Sequence, residues 1–194
     1  MRKSFKLNKE QNEKRLRSIF RFLIIIIVLV IIGSTFIASN RFVTDLYTAF
    51  ILDFIGTSFL FATALTFCLF FLYFIFVITI FNPQRIKKSS VIKFAFGGII
   101  TLIITIFLLI FGVTEAEKSI QTMKDYTNGE WEVKDLLVTD IKRGSYPSRI
   151  VLIETGEGQM TLFFEDFLIY TGQKYRFTYL NATNTIIKVE KIAV

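Results

Sequence analysis

Apolar residues fall in three long runs, 19–39, 54–81 and 92–113, and the polar residues gather in the segments between and around them. A hydrocarbon core of roughly 30 Å takes about 20 helical residues at 1.5 Å rise each, and every run supplies that length with no charge in its central turns. The pattern predicts three spanning helices over those residues, so that 19–113 form a transmembrane domain behind a basic segment, 1–18. Span two would be about 42 Å long if wholly helical, more than the layer it crosses, so it tilts or projects a turn. Ahead of it, Phe42, Leu46, Ala49, Phe50 and Asp53 recur at helical spacing. They predict a short interfacial helix on the outer leaflet.

Beyond span three, residues 114–128 read as a helical stalk or linker ending at the Asn128-Gly129 turn signal, with acids at its start and Lys124 near its end. From Trp131 the period changes. Residues 131–142, 149–155, 159–164, 173–180 and 185–192 are rich in branched and aromatic side chains and are bounded by Gly, Pro, Asn and Ser turns. Tyr175, Phe177 and Tyr179 alternate with Arg176 and Thr178, and Ile187 and Val189 with Lys188 and Glu190. Five strands with an insertion after the third (EDFLIYTG, with room for a helical turn) predict a small all-β domain over 129–194. The order favours an OB-like barrel, with an SH3-like barrel as its rival. So small a domain is near the lower limit for a stable core, which is assigned to Trp131, Ile150, Leu152, Leu162, Phe164, Phe177 and Val189.

The spans differ in texture. Span one is almost purely aliphatic, whereas Ser58, Ala62 and Thr66 share a face of span two and Gly97, Thr101 and Thr105 share one of span three. Small residues at that spacing let membrane helices approach closely, with hydroxyl bonds between them. A path lined by those hydroxyls is the sharper alternative. Ionisable side chains, which solute and proton pathways generally require, are missing from the span interiors.

Charge orients the chain. Eight basic residues up to and including Arg21, at the start of span one, stand against Glu10 and Glu13, a local +6, and Arg85, Lys87 and Lys88 between spans two and three, with Lys93 at the entrance of span three, have no acid among them. The segment from Thr114 onward holds 10 basic and 12 acidic residues. Basic loops stay in the cytoplasm, so the expected topology is N-terminus in and barrel outside the cell membrane. The first span has the outline of a secretory signal, but small residues for cleavage come only at Ala38 and Ser39, which favours an uncleaved anchor. The single cysteine, Cys68, lies inside span two, so the outward domain folds without a disulfide.

Chemistry is limited by composition. With no histidine, Ser-His-Asp and Cys-His catalysis and histidine-containing zinc sites are excluded. Glu165-Asp166, Asp135 and Asp140 lack the spacing of a calcium loop and read as solvated acids. Asn181-Ala182-Thr183 matches a glycosylation sequon, yet Asn in a hairpin turn accounts for it. No catalytic residue, cofactor or metal site is expected. The negative balance of the barrel segment argues against nucleic acid, leaving membrane lipid, a membrane or envelope protein and further copies of the chain as partners. The expected function is a non-enzymatic accessory or assembly subunit that presents a β-barrel interaction module. The alternatives are protection against a membrane-active peptide or toxin, drawn from the aromatic segment Phe42–Phe54, and a small oligomeric channel. In a Cys68→Ala background, an impermeant maleimide applied to intact cells is expected to label a cysteine placed at Ser148 and to spare those at Ser4 and Ser89. Labelling of the latter two alone would reverse the topology.

Overall fold

The computed structural model describes residues 2–77, 79, 88–144 and 149–192, with backbone only over 2–12 and 88–90. Arg85 and Lys87, residues 80–81 of the expected second span and the 145–148 turn with Tyr146 lie outside the described residues. Three long helices, α1 (Arg2–Ser39), α2 (Leu46–Phe76) and α3 (Lys88–Asn128), precede five strands: β1 (Glu132–Arg143), β2 (Val151–Thr155), β3 (Gly158–Leu162), β4 (Lys174–Leu180) and β5 (Thr185–Lys191). All three helices are long and apolar enough to cross a membrane. The strands form a closed barrel. The chain divides into two compact units, Met1–Thr35 with Gly56–Gly112, and Phe36–Ile55 with Val113–Val194.

In the first unit α2 packs antiparallel to both neighbours. A Cβ added at Gly33 of α1 would come 2.9 Å from the Gly56 carbonyl oxygen and 3.1 Å from Leu60, and further along Phe22 meets Phe70 and Tyr73 at 6.0 and 5.8 Å between ring centres. On the other side Gly112 of α3 leaves room for the ring of Phe61, while Gly98 faces Ile75 at 3.3 Å. The Gly112 and Gly98 contacts are separated by the same number of residues on both helices, the register of an antiparallel pair. Much of the remaining surface is bare hydrocarbon, with Ile24, Ile27 and Ile31 of α1 and Ile99, Ile103, Phe107 and Ile110 of α3 exposed. Such side chains are stable in contact with lipid tails.

In the second unit β1 runs with β4 over Glu132–Leu137 and then with β2 over Val138–Arg143, changing partner at a bulge around Thr139. Bulges bend a strand and increase its twist, which lets β1 serve both halves of the barrel. The order around the barrel is β1-β2-β3-β5-β4, closed by the parallel bridge Thr161 to Thr185. Each observed strand lies within two residues of its expected ends. The β3–β4 connection, expected to hold a helical turn, has bends at 166–167 and a turn at Thr171-Gly172 instead.

Val138, Val151, Ile153, Met160, Leu162, Tyr175, Phe177, Tyr179 and Ile186 fill the barrel. Of the expected core, Leu162, Phe164 and Phe177 are buried, whereas Ile150, Leu152 and Val189 are half-buried and Trp131 is 45% exposed. In β2 the inward phase is Val151, Ile153 and Thr155, one residue off the expected one. Thr178 pairs with Lys188 but Tyr179 with Ile186, so a bulge at Ile187 brings Ile186 inside in its place.

The barrel core continues into α2, where Leu46, Ala49 and Phe50 are buried in the same cluster as the strand residues, with Phe50 edge-on to Phe163 at 6.0 Å. Leu46, Ala49 and Phe50 of the stripe expected to lie on a leaflet thus face the barrel from the first part of α2, whereas Phe42, in the 3-10 turn Asn40–Phe42, is 87% exposed. Asp45 caps it, accepting from the Thr48 N–H at 2.7 Å and the Thr48 hydroxyl at 2.6 Å. Arg149 donates to the carbonyls of Arg41 and Val43 at 3.0 and 3.3 Å. At the other end of the unit α3 runs unbroken through the expected stalk. It stops where Glu130 N–H bonds the Asp125 carbonyl, Gly129 N–H bonds that of Tyr126 and Gly129 takes a φ of 74°, a Schellman stop. Phe50→Ala is expected to lower barrel stability by about 3 kcal/mol in thermal unfolding of the detergent-solubilised protein. The fragment 129–194 alone is expected to show no dispersed amide spectrum.

Candidate functional site

The alternation of β1 is inverted. Glu132 and Lys134 pair with Tyr179 and Phe177 and share their inward face, while Trp131, Val133 and Leu137 are exposed at 45, 53 and 45%. The inward polar groups satisfy one another. Tyr179 hydroxyl donates to Glu132 at 2.9 Å, and Lys134 reaches Glu132 at 2.9 Å and Glu157 at 3.3 Å. Hydrogen bonding from Lys134 and from the Tyr179 hydroxyl holds the Glu132 carboxyl below its ordinary range, and its bond to Glu132 raises the Lys134 ammonium. Burial raises the Tyr179 phenol. On the outer face Arg176 makes a bidentate pair with Asp135 at 2.7 and 3.0 Å, between Val133 and Leu137. A strand that sets Glu132 and Lys134 on the side of Tyr179 and a Trp, a Val and a Leu outward departs from the usual rule.

At the Trp131 end of this face lies a cleft of about 340 Å³ lined by Asp45, Tyr47, Tyr126, Trp131, Thr178, Ile187 and Lys188. Tyr47 and Tyr126 stack face to face at 3.5 Å with 6° between planes, and Tyr126 leans on Trp131 at 6.2 Å. The Thr48 hydroxyl bond holds the Asp45 carboxyl below its ordinary range. Tyr47 comes from α2, Tyr126 from the last turns of α3 and Trp131 from the residue before β1. A second charged site is the Arg143–Glu165 pair, with two hydrogen bonds of 2.8 Å and a third from Arg143 to the Ile169 carbonyl. It ties the β3–β4 connection to the end of β1.

The helix-packing residues are placed as follows. Thr105 is 6% exposed, Ala62, Thr66, Gly97 and Thr101 are half-buried, and Ser58 is exposed. A Cβ at Gly97 would meet nothing within 4 Å, so the close approach falls on Gly98, with Gly33 and Gly112. The hydroxyls of Thr66, Thr101 and Thr105 bond carbonyls four residues back in their own helices at 2.7 to 2.9 Å. The expected bonds between helices are replaced by this back-bonding because the carbonyl is always within reach in a helix. Among the described residues no cluster of three or more His, Cys, Asp or Glu is placed to hold a metal, and Cys68 is a half-buried free thiol in α2.

Residues that the sequence reasoning missed are Tyr47, Tyr126, Phe163 and Ile169. The helical stripe Leu46, Ala49 and Phe50 was visible as a stripe but not as a barrel plug. Comparison with protein-family models, with curated proteins and with solved structures finds no match.

The Glu165 side chain is 14% exposed, and its bond to Arg143 holds its carboxyl below the ordinary value of 4.5. Its contribution is therefore complete above the unfolded value and is lost as pH falls through the lower folded one. Glu165→Gln is expected to cost about 1–2 kcal/mol near neutral pH and to shrink the acid-induced loss of stability, read by circular dichroism across an acid titration. Asp135→Asn, whose pair is exposed, is expected to change little.

Proposed function

We propose that this protein is a non-enzymatic interaction module of the cell membrane. Its N-terminus is cytoplasmic and its barrel lies on the extracytoplasmic side, where it serves as an accessory or assembly subunit of a membrane or envelope protein complex. The observation that carries the reading is the outward apolar face of β1, Trp131, Val133 and Leu137, set about the Asp135–Arg176 pair. Apolar and aromatic side chains beside a fixed charge pair are the composition of a small protein contact. The barrel is of OB type in this reading. The order β1-β2-β3-β5-β4 with β3 parallel to β5 supports it over an SH3-like barrel, and the insertion after β3 is the Phe163–Gln173 connection.

The aromatic segment that suggested a toxin-blocking loop has another use, since Leu46, Ala49 and Phe50 are buried under the barrel. The span hydroxyls likewise serve their own helices, which favours helix packing over a channel. A photo-crosslinking residue at Val133 or Leu137 is expected to capture a distinct membrane or envelope protein in living cells, and one at exposed Lys142 is not. Capture of copies of this chain alone, or equal capture at all three positions, would count against the proposal.

A further inference from the structure

We infer that the cleft beside Trp131 is a saccharide-binding subsite that takes the pyranose ring of a neutral or N-acetylated sugar. This goes beyond the protein contact proposed above and stands without it.

The ring geometry selects the ligand class. Tyr47 and Tyr126 are closed on each other at 3.5 Å and Tyr126 is in contact with Trp131, so the rings leave no gap for a proline side chain and do not converge on a point as a cage for a quaternary ammonium would. What they offer is a platform, the half-exposed indole, with Tyr126 tilted against it at 50° and Tyr47 stacked on Tyr126. The polarised C–H face of a pyranose fits the negative face of such a ring, and its equatorial hydroxyls need donors and acceptors at the rim. Thr178, Lys188 and Asp45 line the same cleft and supply a hydroxyl, an ammonium and a carboxylate. The volume of about 340 Å³, with an apolar wall and few polar groups, is at the small end for a ligand pocket and suits one or two rings.

Charge separates a sugar from the other flat ligand, a nucleobase. Asp45 lines the cleft and Glu130 adjoins Trp131 in the chain, whereas the one basic lining group, Lys188, is already paired with Glu190 at 2.6 Å. A phosphate chain would meet repulsion there. An uncharged glycan would not.

Trp131 is the only tryptophan of the chain, so its emission reports this cleft alone. The test is a titration of the full-length protein, held in a sugar-free and tryptophan-free amphipol, with the tetramers of N-acetylglucosamine and of glucose. A saturable blue shift and protection from acrylamide quenching are expected with at least one of them. Saturation-transfer NMR is expected to place the sugar C–H protons against the protein. Trp131→Ala should weaken binding roughly tenfold or more and Trp131→Phe less, both checked for native circular dichroism. Lys188→Ala, remote from the barrel core, should weaken it while keeping the emission signal. Absence of a saturable response to either oligosaccharide at millimolar concentration would overturn the inference, as would an unchanged affinity of Trp131→Ala in a saturation-transfer titration. A response to oligothymidylate in place of the sugars would overturn it in favour of base stacking. None of these outcomes depends on which side of the membrane the barrel occupies or on a protein partner at Leu137.

Discussion

Leu46, Ala49 and Phe50, the first turns of a membrane helix, complete the core of the β-barrel, and the second unit depends on that contact. Five strands of this length enclose too little apolar surface to be secure alone, and the domain has no disulfide or described metal cluster to compensate. Burying one Leu and one Phe is worth roughly 4 kcal/mol, a large share of the 5–15 kcal/mol by which small domains are stable. The plug and the strands come from distant parts of the chain: the bond from Arg149 to the Arg41 carbonyl, which fastens the same segment, joins residues 108 apart. Within this unit α3 runs on to the Gly129 stop, and β1 begins at Glu132.

A second consequence follows from the inverted start of β1. With the plug and the strands β2 to β5 supplying the apolar interior, the inward positions 132 and 134 are free to carry Glu and Lys, which close a polar network with Tyr179 and Glu157. The Glu132 and Lys134 side chains are 40% exposed, so this pairing joins solvated groups and adds little to stability. The outward positions then become available for Trp131, Val133 and Leu137, which contribute nothing to the core. Those three are better explained by contact outside the barrel than by stability within it.

The membrane unit obeys a different logic. Lipid tails are as apolar as Leu, so helix association rests on close approach, and the contacts fall where glycine removes a side chain: Gly33 against Gly56 and Leu60, Gly98 against Ile75, Gly112 against Phe61. All three set a glycine against a large side chain, a knob entering a gap. A search for facing small residues finds Gly97 and Ser58, which face open space or lipid, and passes over Gly98 and Gly112.

Three helices and five strands were legible because span length and β-period are properties of single segments, read from local composition. Phase was legible only where one face of a strand is wet. In β4 the alternation of Tyr175, Phe177 and Tyr179 with Arg176 and Thr178 carried over unchanged. In β2 the run Ile150 to Ile153 is apolar at every position, so period 2 has nothing to lock onto, and the inward set proved to be Val151 and Ile153. In β5 a bulge at Ile187 moved the inward face to Ile186, a change that alternation cannot reveal. Trp131 is a different kind of departure. Its size points inward, the apolar run Leu136–Val138 leaves the phase of β1 open, and it is outside, with Tyr126 tilted against it and a polar rim beside it. Errors of phase show where a pattern lacks information. A large aromatic held half in the open shows where stability alone does not account for the residue.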